Sequence, residues 1–370
     1  MEGPLVDHHC HGLVTRDLDR AEVEVMLTEA AWPPTLPPGL AGTLFDSQIG
    51  FALRRWCAPL LDLEPHAPPD LYLARRAELG AAEVNRRMLA ATGIGTFLVD
   101  TGYLPEPITS PDELAALAGG TAREVVRLEV VAEEVLAGGC TADGFAGAFR
   151  EALAKRCANA VGVKSIAAYR AGLALNGARP SETDVARAAG TLLGGGARPR
   201  VADPVLHRFL VWCGIDLGLP VQFHVGYGDA DVDLHRGDPL LLTDLLRATE
   251  PAGVPIMLLH NYPFHRNAGY LAQVFAHVFV DVGLAVHNVG RRADAVVAEL
   301  LELAPFGKVL FSTDAFGLAE LYLISTALFR RALGRFLDAG IADDDWTADD
   351  AARIAEAIGS GNATRAYRLG

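Results

Sequence analysis

Three histidines near the start of the chain, in the segment LVDHHCHG, are the first residues that could do chemistry. Side chains alternate between the two faces of a β-strand, so Asp7, His9 and His11 are predicted to share one face. His8 and Cys10 are then predicted to lie on the opposite face. Two imidazoles two positions apart on a strand can bind one divalent metal ion. An H-x-H pair by itself is more often two ordinary histidines, so its meaning depends on the rest of the chain.

Four later apolar runs carry a polar residue of a type that buried strands normally exclude. Lys164 lies inside one such run. The other three runs end in His224, His260 and Asp314. Each residue taken alone has an ordinary explanation, such as a helix N-cap for Asp314. The coincidence of all four with the H-x-H pair is much harder to explain in that way, so the pattern indicates a metal-dependent active site.

Eight short apolar runs alternate with amphipathic helical patterns, which is the order expected of parallel β–α units. Eight units predict an α/β fold, a closed (β/α)8 TIM-like barrel with its chemistry at the C-terminal ends of the strands. An open doubly wound sheet is disfavoured because no GxGxxG motif follows the first strand. The predicted strands cover residues 5–11, 95–100, 125–131, 161–167, 220–225, 255–260, 278–283 and 308–314.

Two segments exceed what such a barrel needs. Residues 14–92 are too long for a simple connection, and we interpret them as a helical insertion after strand 1 that forms a cap. This segment contains helical patterns separated by the proline-rich stretch WPPTLPPG. Residues 341–370 are predicted to form a helical C-terminal tail. With the cap as an insertion, residues 1–370 are predicted to form one domain.

The overall composition restricts the expected partners. The chain has 370 residues and a formal net charge of −14, so repulsion from phosphate backbones disfavours nucleic-acid binding. No apolar run reaches about 18 residues, which predicts no membrane span. The five cysteines are scattered and form no CxxC pair, which is typical of reduced thiols in a cytoplasmic protein. We expect a small-molecule substrate, and the sequence leaves homo-oligomer formation open.

The order of the polar residues resembles that of a known family. An H-x-H pair on strand 1, a lysine on strand 4, histidines on strands 5 and 6 and an aspartate on strand 8 resemble the ligand order of the amidohydrolase superfamily. The segments VKSIAAYRAGL, PVQFHVGYGDAD, LLHNYPFHRNAGYLA and LFSTDAFG are similar to the amidohydrolase-2 branch. They are most similar to the hydrolase-like domain joined to glutamine-synthetase-like proteins. The resemblance runs from strand 1 to the tail, and the insertion carries little of it.

The resemblance implies a ligand set for a divalent metal. It implies that His9 and His11 bind the more buried ion, with Asp314 beside them. In binuclear members, the residues at the positions of His224 and His260 bind a second ion. In mononuclear members of this branch, the H-x-H pair, the histidine of strand 5 (here His224) and the aspartate hold the single metal, and the histidine of strand 6 lies outside the ligand shell. Zinc is the expected metal for a site rich in histidine, although manganese and iron also suit it.

The number of metal ions depends on Lys164. This residue occupies the position at which binuclear members carry a carboxylated lysine that bridges two metals. Many members of the amidohydrolase-2 branch lack the lysine and hold a single metal. The resemblance is therefore compatible with one ion or two, and with a carboxylated or an unmodified Lys164.

Substrate contacts are predicted from charged residues near the same strand ends. Tyr169 and Arg170 follow Lys164 at the rim, and Arg170 suits a bidentate contact with a carboxylate. In the predicted third strand, the tripeptide RLE points Arg127 and Glu129 in the same direction. A mutual ion pair explains these two residues as well as a role in substrate binding, in which Glu129 would hold an ammonium group or a metal.

The resemblance implies a metal-dependent hydrolase of a C–N (amide) bond, with a metal-activated water and Asp314 as general base. His260 or a second metal would polarise the scissile carbonyl. The positive site predicts a small carboxylate-bearing substrate, such as a γ-glutamyl amide. One alternative is a metal-dependent decarboxylase or lyase of the same branch, which an intact Lys164 disfavours. Another alternative is an inactive barrel that serves as a binding module. The complete set of metal ligands disfavours it, because a binding module does not need them.

Overall fold

The computed structural model describes residues 3–29, 44–195 and 198–370. Its centre is a parallel sheet in which seven strands follow one another in chain order. They are rich in valine, isoleucine and leucine and are buried along most of their length, as expected for strands covered on both faces. The strands are β1 Leu5–Cys10, β2 Ile94–Asp100, β3 Thr121–Arg127, β4 Gly162–Ser165, β5 Val221–Val225, β6 Ile256–His260 and β7 Val278–Val280.

Helices connect the strands and surround the sheet. A parallel strand pair needs a crossover, and these helices supply it while covering the sheet with their apolar faces. In the described part of the chain, none of the helices combines the length and apolarity that a membrane crossing requires. The α-helices are α1 Arg20–Met26, α2 Gln48–Trp56, α3 Pro69–Ala90, α4 Pro111–Ala118, α5 Leu128–Ala137, α6 Phe145–Arg156, α7 Glu182–Leu193, α8 Pro204–Asp216, α9 Thr243–Thr249, α10 His265–Val274, α11 Gly283–Val289, α12 Ala293–Leu300, α13 Ala319–Ala342, α14 Ala348–Glu356 and α15 Asn362–Tyr367.

The segment predicted as the eighth strand, residues 308–314, joins the two edges of the sheet. On one side, the amide of Leu310 donates to the carbonyl of Val280 in β7 at 2.9 Å. On the other side, the amide of Asp314 donates to the carbonyl of His9 in β1 at 2.9 Å. The segment is too irregular to form a full strand, because the amide of Thr313 donates to the carboxylate of Asp7 instead of a backbone carbonyl. The outcome is a curled parallel sheet of TIM-like architecture.

The third strand differs from its prediction. We placed it at residues 125–131, but β3 ends at Arg127 and helix α5 begins at Leu128. The apolar residues Leu128, Val131 and Ala132 are buried at helical spacing. The stretch VVRLEVV therefore spans the junction between β3 and α5. Its first two valines lie in the strand and its last two lie in the helix.

Between β1 and β2, the described part of the predicted insertion holds α1, α2 and α3. The proline-rich stretch WPPTLPPG lies outside the described residues. At the other end of the chain, α13 is followed by the short helices α14 and α15. Tyr367 of α15 is buried, and its hydroxyl accepts a hydrogen bond from Gln222 of β5 at 2.8 Å. The tail thus packs against the strands instead of extending from the protein.

Candidate active site

Three predicted ligands come together at the C-terminal ends of β1 and the eighth segment. The Nε2 atom of His9 lies 2.9 Å from Oδ1 of Asp314, and that of His11 lies 3.4 Å from the same oxygen. One ligand atom from each of His9, His11 and Asp314 can be chosen so that all lie within 4.8 Å of one another. All three residues are buried. This is the spacing at which one cation can be shared by two imidazoles and a carboxylate.

The tautomer of His11 suits metal binding. Its Nδ1 donates a hydrogen bond to the backbone carbonyl of Asp100 at 3.1 Å. The proton is therefore on Nδ1, and the lone pair of Nε2 points toward Asp314. Such a carbonyl contact on the far side of the ring is the usual way in which a protein orients a histidine ligand.

The backbone turns sharply where two of the site residues lie. His260 and Asp314 have φ angles of 69° and 51°, in the left-handed region that side chains other than glycine rarely adopt. Asn261, which follows His260, shares this conformation with a φ of 57°. Such a conformation costs energy and is concentrated at functional sites, where the surrounding structure holds it in place. Here it accompanies the turns that bring the carboxylate and the imidazole to one point.

The two later histidines approach the cluster to different extents. His260 Nε2 lies 3.5 Å from Oδ2 of Asp314. The His224 ring lies 4.6 Å from the His260 ring, but its Nε2 donates to the carbonyl of Tyr227 at 3.0 Å. In this arrangement His260 faces the carboxylate directly, whereas His224 borders the site and has one nitrogen occupied.

Lys164 lies at the centre of the site and has two partners. Its Nζ donates to Nε2 of His9 at 2.8 Å and lies 3.4 Å from the carboxylate of Asp100. Asp100 also accepts two hydrogen bonds from the guanidinium of Arg127, at 2.5 and 3.1 Å. Burial lowers the pKa of Lys164, while the charges of Asp100 and Asp314 oppose that shift. The lysine is thus held between an imidazole and a carboxylate that Arg127 already neutralises.

Protonation states in the site suit a cation. Burial lowers the pKa of His9 to about 3, and it also lowers the pKa of His224 and His260. Burial alone would raise the pKa of Asp314, but His260, His11 and His9 hold it well below its usual range. Neutral imidazoles beside an ionised carboxylate are the forms that ligate a metal.

Unpartnered polar atoms support the same interpretation. Nδ1 of His9 and both ring nitrogens of His260 are buried without a hydrogen-bond partner. A buried polar atom without a partner is costly, so a ligand is expected where several of them converge. The described residues therefore fit a divalent metal held by His9, His11 and Asp314, with His260 next to it.

His11 and Asp314 of the cluster line a cavity of about 500 Å³. Arg127, Lys164, Tyr169 and Arg170 all line it. Nε and Nη1 of Arg170 are buried without a hydrogen-bond partner, and the nearest carboxylate oxygen, on Glu133, is 3.8 Å from its Nη2. The Tyr169 ring lies 4.4 Å from the His224 ring. The wall thus offers a guanidinium with free donors and an aromatic surface beside the histidines.

Glu129 is not where the sequence placed it. Because β3 ends at Arg127, Glu129 lies in the first turn of α5 and does not line the cavity. Its carboxylate accepts hydrogen bonds from the Ser165 hydroxyl at 2.7 Å and the Ile166 amide at 3.0 Å, and it lies 3.2 Å from His207. The predicted ion pair with Arg127 is also wrong, because Arg127 pairs with Asp100.

His8 does not lie on an outward face, because the alternation of β1 is broken. Asp7 pairs with Phe97 and Cys10 with Val99. Between these two pairs β1 advances by three residues and β2 by two, which is a β-bulge in β1. This bulge lets neighbouring His8 and His9 both reach across the barrel. His8 Nε2 lies 2.9 Å from the carboxylate of Asp281, which also accepts the amide of His260 at 2.9 Å.

Sequence reasoning missed two acidic residues of the site. Asp100 ends the apolar run GTFLVD, which is the same signal that identified Asp314, so it could have been found. Glu29 lines the cavity from the segment between β1 and β2, where no strand pattern points to it. Burial and the charges of Asp314 and Asp229 raise the pKa of Glu29 to about 8. A cationic ligand group beside Glu29 would relieve this repulsion.

Comparison with known proteins shows the family of this chain. A protein-family model described as "Amidohydrolase" matches residues 131–369. Protein fluG of Emericella nidulans is 27% identical over 408 residues, which cover 99% of this chain and 46% of that protein. The chain thus spans about half the length of this curated relative.

Solved structures show the same architecture. A candidate metal-dependent hydrolase of Lactobacillus casei superposes with a TM-score of 0.85 at 30% identity, over 99% of this chain and 96% of that one. A uronate isomerase of Bacillus halodurans superposes with a TM-score of 0.65 over 100% of this chain and 94% of that one. Its identity is only 14%, so that likeness concerns the fold alone.

Proposed function

The chain belongs to the amidohydrolase family, and from this premise we propose that it is a metal-dependent hydrolase of a C–N (amide) bond. The substrate class that we propose is a small carboxylate-bearing amide, such as a γ-glutamyl amide. One observation carries the proposal: Arg170, two of whose buried donors have no hydrogen-bond partner, lines the same cavity as His11 and Asp314, which cluster with His9.

We propose that His9, His11 and Asp314 hold one divalent ion, with His260 at its side. A bound divalent metal would supply Lewis acidity and lower the pKa of water toward about 7. The donor set of two imidazoles and one carboxylate suits zinc, which is our first choice of metal. His11 supports this assignment with its own geometry, because its Nδ1 proton is engaged by a carbonyl and its Nε2 is free to ligate.

Side chains around the metal have the other proposed roles in proton transfer and substrate binding. The pKa of Asp314 is held low, so its carboxylate is ionised, accepts the proton of the attacking water and passes it to the leaving amine. His260 faces the same carboxylate and is placed to contact the scissile carbonyl. Arg170 binds the substrate carboxylate, and Tyr169 covers the histidines from one side. Glu29 replaces Glu129 as the proposed contact for an ammonium group.

Lys164 supports a site with one metal. A carboxylated lysine would place a second anion beside Asp100, where Arg127 is the cation already committed to that carboxylate. An unmodified ammonium instead forms an ion pair with Asp100 at 3.4 Å. We therefore propose that Lys164 is unmodified and that the chain binds one metal. Added bicarbonate should then change neither metal content nor rate.

A substrate series tests the proposed function. Metal-loaded protein should hydrolyse a γ-glutamyl amide faster than the same amide with its α-carboxylate converted to a carboxamide, because only the former pairs with Arg170. Carboxylated aromatic compounds in the same series test the lyase alternative. The Asp314→Asn variant is the control, since it should be inactive on every amide. Equal rates on the charged and neutral amides, or carbon dioxide release without amide cleavage, would contradict the proposal.

A further inference from the structure

A second cavity of about 400 Å³ lies on the flank of the barrel, away from the proposed active site. It is bounded by α2, by the turn at residues 290–292, and by α12 and α13, and it shares no lining residue with the first cavity. The charged groups that line it are mostly guanidinium groups. They are Arg55, Arg291, Arg292, Arg331, Arg335 and a single carboxylate, Asp294.

The positive charge of this cavity is not neutralised from within. Asp294 is already shared by two arginines, at 3.1 Å from Arg331 and 2.5 Å from Arg335. Within the described ranges, no carboxylate lies within 4.0 Å of Arg55, Arg291 or Arg292. The pocket therefore carries a formal surplus of four positive charges, although the chain as a whole carries −14. Such a concentration of one charge repels itself unless an anion occupies it.

The side chains that line the cavity also have chemistry suited to an anion. Guanidinium groups form planar, bidentate hydrogen bonds with phosphate and carboxylate oxygens. The cavity volume lies within the range of about 300–1,000 Å³ that is usual for small-molecule sites. Its wall includes Trp56, with Arg55 stacked 4.9 Å from the ring, and Phe51, which is 47% exposed. An exposed aromatic ring beside a cationic pocket is suited to a ligand that has a flat ring as well as charge.

We propose that this pocket binds a small molecule with an oligophosphate group. Several negative charges in a compact group match several guanidinium groups around one cavity better than single, well-separated carboxylates do. Phe51 is 47% exposed, with the Arg54 guanidinium 5.4 Å from its ring centroid, and adds an aromatic contact for a base or another ring. The pocket is independent of the metal cluster, so the proposal stands or falls separately from the proposed hydrolase activity.

Calorimetric titration with inorganic pyrophosphate and with ATP tests the proposal. We expect saturable binding of one pyrophosphate per chain at this pocket, weakened at high salt because the contacts are ionic. In the double variant Arg291→Gln/Arg292→Gln, affinity should fall by at least about tenfold, since two charge-assisted contacts are lost. Both side chains are exposed, so the fold should be retained. ATP should bind more tightly than pyrophosphate, and Phe51→Ala should remove that advantage.

Matched controls identify the source of any binding. The double variant Arg123→Gln/Arg353→Gln removes the same charge from exposed positions outside both cavities and should bind like the unmodified protein. Anions bound at the metal site remain in every variant, so only the difference between variants reports on this pocket. Arg55→Gln, which leaves the turn at residues 290–292 intact, should also weaken binding. No saturable binding, equal binding in Arg291→Gln/Arg292→Gln, or equal affinity for citrate would overturn the proposal.

Discussion

At the scale of single residues, Arg170 is the proposed contact for the carboxylate of the substrate. Arg170 lines the cavity, two of its buried donors have no hydrogen-bond partner, and we propose that a substrate carboxylate binds this guanidinium. Arg170→Met keeps the apolar stem and removes the charge. We expect KM for a carboxylated amide to rise by roughly tenfold or more with kcat little changed, because a charge-assisted contact is worth about 1.5–3 kcal/mol in ground and transition states alike. Steady-state kinetics measure this, and Arg123→Met serves as the exposed control. An unchanged KM would remove Arg170 from the site.

His287 predicts a pH dependence of stability. It is buried, its Nδ1 bonds the hydroxyl of Ser325 at 2.7 Å, and burial lowers its pKa from 6.5 to about 4. In the unfolded chain the imidazole of His287 is protonated below about pH 6.5, whereas in the folded chain it is protonated only below about pH 4. Stability from this group is therefore complete above pH 6.5 and is lost as the pH falls. The loss between pH 7.5 and 5 should be about 2 kcal/mol.

His287→Gln should keep the bond to Ser325 and abolish this titration. Urea unfolding at pH 7.5 and pH 5 would compare the two proteins, and the drop in the free energy of unfolding should be smaller in the variant. Equal drops in both proteins would show that another group is responsible for the acid sensitivity.

Residue type and position at a strand end predicted from the sequence which side chains would lie close together. His9, His11 and Asp314 are brought together because strand ends of a parallel barrel meet at one rim. The orientation of His8 could not be predicted, because strict alternation fails at the bulge of β1. Such a bulge leaves no clear mark in the residues of LVDHHCHG.

At the scale of elements, a buried ion pair anchors α3 to α13. Nε of Arg76 lies 2.8 Å from Glu320, whose carboxylate also accepts the Tyr72 hydroxyl at 3.1 Å. Both members of the pair are buried, and Arg76 offsets the effect of burial and keeps the pKa of Glu320 lowered. Arg76→Met leaves the carboxylate buried without its cation, so we expect a loss of about 3–5 kcal/mol in the free energy of unfolding.

Arg86→Met on the same helix is the matched control for this pair. Arg86 is 59% exposed and pairs with Glu83 at the surface, so its loss should cost less than about 1 kcal/mol. Urea unfolding of the two variants decides the matter. If both substitutions have the same small effect, the buried pair does not hold α3 on the barrel.

The boundaries of elements were harder to predict than their order. The alternation of apolar runs with helical patterns indicated the parallel sheet, and seven strands follow it. The third strand was misplaced because valines suit a buried strand and a buried helix equally well. Glu129 was misassigned as a consequence, since its side chain leaves from a helix rather than from a strand.

At the scale of the whole molecule, an acidic chain carries a cavity with charges of both signs. The wall of the proposed active site includes Arg127 and Arg170 on one hand and Glu29 and Asp229 on the other. The expectation of a locally positive site did not include these acidic residues, because they come from loops and from the segment between β1 and β2. A mixed wall suits a zwitterionic substrate such as a γ-glutamyl compound.

The central claim is that His9, His11 and Asp314 form a metal centre, and elemental analysis by mass spectrometry tests it most directly. The purified protein should carry about one equivalent of divalent transition metal, and His9→Ala/His11→Ala should lose most of it. The control His66→Ala/His235→Ala removes two exposed histidines and should keep the metal. Equal metal in the unmodified protein and in His9→Ala/His11→Ala would contradict the account.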